Sequence, residues 1–346
     1  MVNKCKNCGG ILLYSPKDKG NICQSCGSLF PVKFIYEFKK KDFSQHEPLS
    51  KEEDLFAKSL KNVKCKSCGA MILLNKLQIQ SICPYCGNSD LVESRAKNLM
   101  YIDNIIPFAF DKTEAIKKFK MNLASRFYAN RAVFKGLTEK NLVGSYINAF
   151  VFDVNSKTDY SGVFSYTRKI KEGDEEKTIT EFVNVSGVFE KTFKNLTIEA
   201  NSHLTQEELN SIMPFEYGSS VNFVDNFMNG YILEYNDRMF DECFADAEKI
   251  IKRDIEKSLL NKYNCDNVVS LRMDVTYPER KYNYCLLPVY FVSSQVKDKT
   301  YRVLMNGQTG KVGKLPKNAL RIFLTVLFSC GIVVAIILLI ALLINM

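Results

Sequence analysis

The chain opens with two five-residue motifs, Cys5-Lys6-Asn7-Cys8-Gly9 and Cys23-Gln24-Ser25-Cys26-Gly27, with fourteen residues between Cys8 and Cys23. The same pattern returns sixty positions later as Cys65-Lys66-Ser67-Cys68-Gly69 and Cys83-Pro84-Tyr85-Cys86-Gly87. Two tight turns of this kind bring four sulfurs to one point, and each glycine allows the turn that exposes backbone amides to the thiolates. The duplicated spacing therefore predicts two zinc ribbons.

We expect the chain to hold two zinc ions, one in each ribbon. The predicted ligands are Cys5, Cys8, Cys23 and Cys26 in the first site and Cys65, Cys68, Cys83 and Cys86 in the second. Four protein ligands leave no coordination position for a substrate or water, so each zinc is expected to be structural. Two alternatives stay open: a rubredoxin-like iron site, which uses the same four thiolates, and a set of free cysteines.

The net charge points only weakly to an anionic partner. Lysine and arginine outnumber aspartate and glutamate by 47 to 38, a balance that fits nucleic acid or lipid headgroups. Residues 1–97 carry 16 basic and 9 acidic side chains, a net charge of +7. Two four-thiolate zinc sites would lower this charge to about +3. The ribbons are therefore not strongly basic.

Composition predicts a multidomain fold with two small β zinc ribbons, a mixed α+β body with antiparallel strands, and one C-terminal transmembrane helix. Between the ribbons lies a charged stretch in which Ser50 to Glu53 forms a capping box for one short helix. The predicted segments are zinc ribbon 1 at 1–38, a charged tether at 39–62, zinc ribbon 2 at 63–97, the body at 98–317 and the transmembrane helix at 318–346.

The body alternates helical and strand patterns. One helix should start at Asp111, with an apolar stripe formed by Ile116, Phe119, Leu123 and Phe127. Thr205 and Glu208 cap a short helix that Pro214 ends, and a longer helix at 237–263 has an apolar face that should lie in the core. Six short strands are predicted at 145–154, 163–170, 178–187, 267–277, 284–293 and 299–305.

The last apolar run predicts a membrane anchor. Residues 322–344 contain 23 residues without a charge, more than the ~20 needed to cross the hydrocarbon core. Basic residues precede this run, and no apolar signal segment precedes Cys5. These features predict a single-pass, tail-anchored protein of the cell membrane, with its N-terminal bulk in the cytoplasm and the lipid bilayer as one partner. A reducing compartment also favours metal binding over disulfides.

The sequence lacks the motifs of an enzyme. The two histidines, His46 and His203, lie in the charged tether and just before a helix cap, so neither is supported as a catalytic base. The segment 306–311 resembles the end of a phosphate-binding loop, but Met305 and Val312 replace the glycine and the serine or threonine that the motif requires. A turn after a strand is the better interpretation, and no small-molecule substrate is expected.

Several segments besides the ribbons resemble a bacterial family of TFIIB-type zinc-ribbon-containing membrane proteins common in Firmicutes. The resemblance lies in Gly230-Tyr231-Ile232-Leu233-Glu234-Tyr235, Leu287-Pro288-Val289-Tyr290, Lys299-Thr300-Tyr301 and the segment 306–313. Residues 284–316 also resemble a PepSY-type hairpin. Some members are encoded beside phage-shock-protein-A-like and flotillin-like proteins, so the resemblance implies a role in recruiting envelope-stress factors. Two complete ribbons depart from the usual single ribbon.

The sequence is compatible with two binding functions. The first is a non-enzymatic adaptor whose ribbons dock a cytosolic or membrane-associated protein. The second is a membrane-tethered nucleic-acid binder, in which Lys4, Lys6, Lys64 and Lys66 contact phosphates. The ribbon loops have few of the aromatic residues on which single-stranded bases stack, so the adaptor is favoured. A third interpretation, an enzyme in the body, has no motif to support it.

Overall fold

The computed structural model describes residues 4–45, 60–75, 82–94, 102–172, 175–296 and 299–344. His46 and the predicted capping box at Ser50 to Glu53 lie outside the described residues. The strands are β1 Leu12–Ser15, β2 Gly20–Cys23, β3 Leu29–Pro31, β4 Lys41–Asp42, β5 Leu60–Cys65, β6 Met71–Asn75, β7 Leu91–Glu93, β8 Asn104–Ile105, β9 Leu142–Glu172, β10 Glu175–Glu199, β11 Val221–Asn222, β12 Ile232–Glu234, β13 Asn267–Val296 and β14 Lys299–Asn306. The α-helices are α1 Lys112–Ser125, α2 Gln206–Ile212, α3 Phe240–Tyr263 and α4 Ala319–Ile344.

The first ribbon forms a sheet of its own. Strands β1, β2 and β3 are antiparallel, with β2 in the centre. This small sheet is fixed to the body through Tyr14, whose backbone N–H donates to the carbonyl of Asn229 at 2.9 Å. The Tyr14 ring lies 5.2 Å from the ring of Phe227, edge to face. The first ribbon is therefore packed against the body at one end of its sheet.

The second ribbon is part of the sheet of the body. Strands β5, β6 and β7 belong to an eleven-stranded sheet in which β6 pairs with β12, with Leu73 opposite Leu233. Strand β12 in turn runs parallel to β9, with Leu233 opposite Tyr146. The ladder of backbone hydrogen bonds thus continues from the ribbon into the body. The predicted fold of two separate ribbons beside an α+β body is wrong in this respect.

Long strands dominate the body, which corrects the predicted set of short ones. Strand β9 contains the predicted strands 145–154 and 163–170, and β13 contains 267–277 and 284–293. The residues between each pair remain in the sheet because they continue to pair with the neighbouring strands, with Lys157 and Asp159 exposed and Thr158 buried on the opposite face. The Tyr277-Pro278 step of β13 is absorbed by a register shift between Thr276 and Glu279. Over the described residues the body is a large mixed sheet with few helices.

The sheet separates two apolar clusters, because alternate side chains of β9 point to opposite faces. Tyr146, Phe150 and Phe152 pack on the side of α3, whose predicted apolar stripe is buried as expected. Ile147, Ala149 and Val151 pack on the other side, with the buried residues of α2 and of the second ribbon. The second ribbon therefore shares the core of the body.

The three helices predicted in the body occur, although α3 begins at Phe240 instead of position 237 and α1 ends before the last residue of its predicted stripe. Asp111 caps α1 by accepting a hydrogen bond from the N–H of Glu114 at 2.8 Å, and Thr205 and Glu208 form the predicted capping box of α2. Phe119 and Leu123 are buried, but Phe127 is 61% exposed. The reason is that α1 ends at Ser125, so Phe127 no longer follows the helical period.

The predicted membrane anchor is contradicted. Within the part of the chain that the structure describes, no helix combines the length and the apolarity that crossing a bilayer requires. The predicted transmembrane helix and the predicted single-pass location in the cell membrane are corrected accordingly.

Residues 39–45, the first described part of the predicted tether, lie against the body, and residues 60–62 belong to β5. Asn283 Nδ2 donates to the carbonyl of Lys39 at 2.8 Å, and β4 pairs with β13. The ring of Phe43 lies 4.8 Å from that of Phe240 and 4.7 Å from that of Phe244, edge to face in both cases. This segment is held by hydrogen bonds and aromatic packing, so it is not a free linker where it leaves the first ribbon.

Candidate metal centres

All eight predicted ligands lie in four turns with the same backbone geometry. In each turn the glycine after the second cysteine donates its N–H to the carbonyl of the first cysteine, at 2.8 to 3.0 Å. The four glycines have φ between 73° and 79°, the left-handed region that residues with a Cβ adopt at a penalty. The turns are Cys5–Gly9, Cys23–Gly27, Cys65–Gly69 and Cys83–Gly87. This repeated geometry explains why glycine follows each pair of cysteines.

The structure brings the eight cysteines together as two groups of four. Within each group all four sulfur atoms lie within 4.8 Å of one another. The Sγ–Sγ distance is 3.6 Å for Cys5 and Cys26 and 3.4 Å for Cys8 and Cys23. In the second group the distances for Cys65 with Cys86 and Cys68 with Cys83 are both 3.6 Å. These distances exceed an S–S bond, and all eight cysteines are free.

The sulfur distances fit a tetrahedral metal. A regular tetrahedron with metal–sulfur bonds of ~2.3 Å has sulfur–sulfur edges of ~3.8 Å, close to the distances in both groups. Four thiolates suit zinc or iron, and the soft donor set argues against magnesium or calcium. The two groups are therefore positioned to bind metal ions, as the spacing of the cysteines predicted.

The first centre is the more accessible one. Cys5 and Cys23 are buried, whereas Cys8 and Cys26 are exposed. The backbone N–H groups of Asn7 and Ser25 donate to the sulfurs of Cys5 and Cys23, at 3.4 Å each. A hydrogen bond with the Ser28 hydroxyl, at 3.1 Å, lowers the pKa of Cys26 to about 6. These contacts favour the thiolate form that binds metal.

The second centre is set deeper in the molecule. Cys65 and Cys83 are fully buried, Cys86 is half-buried and Cys68 is exposed. Burial raises the pKa of Cys68 to about 11 and raises that of Cys83 further. Thiolates at these positions are unfavourable unless a cation compensates their charge. A bound metal ion would offset this cost, as it would at Cys8 of the first centre, where hydrogen bonds with the neighbouring sulfurs raise the pKa to about 12.

Tyr85, between two ligands of the second centre, anchors the ribbon in the body. Its ring is 5% exposed and lies 5.6 Å from the ring of Phe291. The guanidinium of Arg302 lies 5.4 Å from the ring centroid, within the range of a cation–π contact. The Ser293 hydroxyl donates to the carbonyl of Pro84 at 3.2 Å. The turn that supplies Cys83 and Cys86 is thus part of the core.

His203 lies near this turn, although its sequence context gave it no role. Its ring centroid is 5.4 Å from that of Tyr85, and its Nδ1 lies 4.0 Å from a carboxylate oxygen of Asp237. It is not among the residues grouped around either metal centre. A cavity of about 490 Å³ adjoins the same ribbon on another side, with Cys86, Phe134 and Ser294 in its wall.

The segment that resembles a phosphate-binding loop is a turn. The side-chain oxygen of Asn306 accepts from the N–H groups of Gln308 and Thr309, at 2.8 and 2.9 Å. Gly310 has φ of 79° and donates its N–H to the carbonyl of Asn306 at 2.9 Å. The amides that would cradle a phosphate are therefore engaged in the turn itself, as expected for a turn after β14.

Two buried acids were not anticipated from the sequence. Glu199 and Glu234 are 0% and 1% exposed, and none of their four carboxyl oxygens has a hydrogen-bond partner among the described residues. They lie where β10 and β12 meet beside Asn148, whose carbonyl accepts from the N–H of Ala200 at 3.0 Å. Asn148 Nδ2 also donates to the carbonyl of Glu234 at 2.6 Å. The one available signal was a glutamate inside the apolar run 231–235.

Comparisons with known proteins give one similarity. No protein-family model matches the chain, and no solved structure matches it. Among curated proteins, the Bacillus subtilis (strain 168) protein described as "Uncharacterized protein YdjG" is 27% identical over 215 residues. The match covers 61% of this chain and 63% of YdjG, less than two-thirds of the length of that relative. This similarity does not show a family, so the resemblance to zinc-ribbon membrane proteins stays a proposal.

Proposed function

We propose that the chain is a non-enzymatic zinc protein whose two metal ions are structural and whose first ribbon docks another protein. The observation that carries the proposal is the closed arrangement of four cysteine sulfurs in each centre, with all four within 4.8 Å of one another. Such a set fills the coordination sphere of zinc and leaves no position for catalysis. We therefore place the function in the surface of the ribbon, whose fold the bound metal stabilises.

The first ribbon has a surface suited to this role. Ile11 and Leu29 are 44% and 46% exposed, although each belongs to the ordered ribbon region. Exposed apolar side chains on a rigid scaffold are typical of sites that contact proteins. In the second ribbon Met71, at the position of Ile11, is half-buried, and Ser89 stands at the position of Leu29. The docking role is therefore assigned to the first ribbon, and envelope-stress factors, implied by the family resemblance, are one class of partner to test.

The identity of the metal is tested on the purified chain. We expect two zinc ions per chain by elemental analysis, with an optical spectrum free of the thiolate-to-iron bands of a rubredoxin-like site. One metal per chain, or two irons, would contradict the proposal. Metal content is measured without a chelating purification tag, because such tags can strip or exchange the ion.

The docking role is tested with substitutions in the intact chain, because the second ribbon shares the core and cannot be removed without disturbing the fold. Ile11→Glu with Leu29→Glu places two charges on the first ribbon and should abolish the crosslinking of a defined partner. The matched control is Val269→Glu, which changes a 54% exposed valine near the start of β13, outside the first ribbon. Equal crosslinking by both variants would contradict the proposal.

Nucleic-acid binding is the alternative function, and it is tested with an oligonucleotide. The ammonium group of Lys66 lies 3.2 Å from a carboxylate oxygen of Asp90, which reduces the positive charge that this lysine offers to a phosphate. Binding of an oligonucleotide at physiological salt, with a steep fall in affinity as salt rises, would favour the nucleic-acid function instead, because counterion release marks phosphate contacts.

A further inference from the structure

Three long strands extend from the body as an arm. Residues 157–165 of β9 pair with β10 on one side and with β13 on the other, so β9 is central and the other two strands form the edges. Helix α3 covers one face, where the Phe164 ring lies 5.3 Å from the ring of Tyr263. Among the described residues neither outer edge of the arm has a strand partner. Both edges therefore expose backbone groups that can pair with another strand.

The edge formed by β13 carries features that block such pairing. Pro278 removes a backbone N–H from this strand, and register shifts occur between Val268 and Ser270 and between Thr276 and Glu279. Prolines and bulges are the devices by which natural sheets prevent pairing at an edge. This edge is therefore protected along the length of the arm.

The edge formed by β10 carries neither device. From Glu175 to Phe193 its register with β9 has no shift, and no proline occurs in the strand. Large apolar side chains are exposed along it, including Phe182 at 66% and Val188 at 52%. A long, regular and partly apolar edge is the kind that pairs with another chain. The contrast with β13 shows that the arm protects one edge and leaves the other regular.

We propose that β10 pairs with β10 of a second copy of this chain, antiparallel and with Ser186 at the two-fold axis. The sequence along the edge is complementary to itself in this register. On the side of α3, Glu181 faces Lys191 of the second copy, Val183 faces Phe189, and Ile179 faces Phe193. On the other side, Phe182 faces Glu190, Asn184 faces Val188, and Thr180 faces Thr192. Opposite charges and apolar pairs in such positions stabilise a sheet.

The charged residues of this register have only exposed or half-exposed partners within their own chain. Glu181 lies 3.2 Å from Arg168, with side-chain exposures of 51% and 69% for the two residues. Lys191 contacts Asp254 of α3 at the surface. Ion pairs this exposed contribute little to stability, so both residues can also interact across the dimer. Charges on an edge normally discourage pairing, and here each finds its opposite in the second copy.

The register is tested by placing opposite charges at one exposed position. Phe182→Glu sets a carboxylate against Glu190 of the second copy, twice in each dimer, and should weaken association by roughly tenfold. Phe182→Lys sets an ammonium against the same carboxylate and should keep the dissociation constant within about threefold of the wild type. The control Val269→Glu changes a 54% exposed residue of the protected edge and should leave association unchanged.

Sedimentation or light scattering of the full chain, over a micromolar concentration series, measures the dimer in each variant. A wild-type chain that stays monomeric overturns the proposal, as does a dimer that Val269→Glu disrupts. A dimer that Phe182→Glu and Phe182→Lys weaken equally overturns the register about Ser186. Circular dichroism and thermal unfolding show that each variant is folded, which the exposure of Phe182 leads us to expect.

Discussion

At the scale of single residues, Glu199 and Glu234 are the least expected feature of the molecule. Burial away from water raises the pKa of both carboxyl groups well above the usual value for glutamate. For Glu199 the weaker opposing influences include the amide of Ala200 and the charge of Arg238. Burial therefore favours the neutral form of both carboxyl groups.

These acids give stability a definite dependence on pH. The pKa of each is higher in the folded than in the unfolded chain, where it is about 4.3, so their contribution to stability is lost as pH rises above that value. We expect Glu199→Gln with Glu234→Gln to increase the free energy of unfolding at neutral pH. The expected increase is about 1.4 kcal/mol for each unit by which the pKa of a carboxyl group is raised, counted only up to the pH of the measurement. The increase should be smaller at lower pH.

Urea unfolding between about pH 6 and about pH 9 measures this effect at values where thiolate sites keep their metal. The control is Glu256→Gln, which changes an exposed acid of α3. If the free energy of unfolding of the wild type changed with pH in parallel with that of the double variant across this range, the raised pKa values would be contradicted.

The asparagines beneath the segment 39–45 give a second prediction at this scale. Asn283 is 0% exposed and donates both to the carbonyl of Lys39 and to the side-chain oxygen of Asn104, at 2.8 and 2.7 Å. Asn283→Leu should lower the free energy of unfolding by about 1–3 kcal/mol, because buried acceptors lose their donor. Chemical denaturation measures the loss, and faster proteolysis near Lys39 should accompany it. An unchanged stability would show that the segment is not held there.

At this scale the metal ligands were predictable and the buried acids were not. Each ligand is defined by spacing within a short stretch, such as Cys5 to Cys8, and the turn geometry follows from the same residues. The burial of Glu234 depends on β6 and β9, which pair with it from positions far away in sequence. Partners so distant in sequence cannot be identified from the residues around Glu234.

At the scale of elements, the two ribbons differ in how they depend on the rest of the chain. The first has its own small apolar cluster, formed by Cys5, Leu12 and Cys23 with Phe30 against it. The second contributes Val63, Ile72 and Tyr85 to the core of the body. Loss of metal should therefore have local consequences in the first ribbon and global ones in the second.

Paired cysteine variants test this difference. Cys65→Ser with Cys68→Ser should remove one metal ion and lower the melting temperature of the whole body by several degrees, because Tyr85 loses its anchored turn. Cys5→Ser with Cys8→Ser should also remove one metal ion but leave the main thermal transition nearly unchanged. Elemental analysis and calorimetry give the two readouts. Equal shifts of the main transition in both variants would contradict the proposed difference.

The sequence pattern predicted the positions of the strands but not their continuity. Alternating apolar residues identified six strand segments, and each lies within an observed strand. What the pattern missed is continuity, since Asn155 to Gly162 is polar on one face and resembles a loop although it is central in the arm. Strand β12 has three residues, and its role as the link between ribbon and body depends on partners distant in sequence.

At the scale of the whole molecule, the depths of the two centres predict two rates of metal loss. A chelator can reach two exposed ligands of the first centre, Cys8 and Cys26, but only one of the second, Cys68, because Cys86 is half-buried. Release of metal should be biphasic, with a fast phase that leaves the fold intact and a phase at least about tenfold slower that coincides with unfolding. A colorimetric zinc indicator and circular dichroism, recorded together, measure both phases. Release in a single phase would contradict this prediction.

The pairing of β6 with β12 also sets an order of events during synthesis. The first ribbon closes within residues 4–31, so it can bind its metal soon after it leaves the ribosome. The second ribbon completes its strand pairing only when Leu233 and Glu234 have been made. Strand β6 ends at Asn75, roughly 160 residues before Glu234, which corresponds to about 8–32 s of translation at ~5–20 residues per second. Throughout that interval β6 lacks its β12 partner, and because an unpaired strand edge is prone to aggregate, we expect early metal binding by the second ribbon to protect the nascent chain.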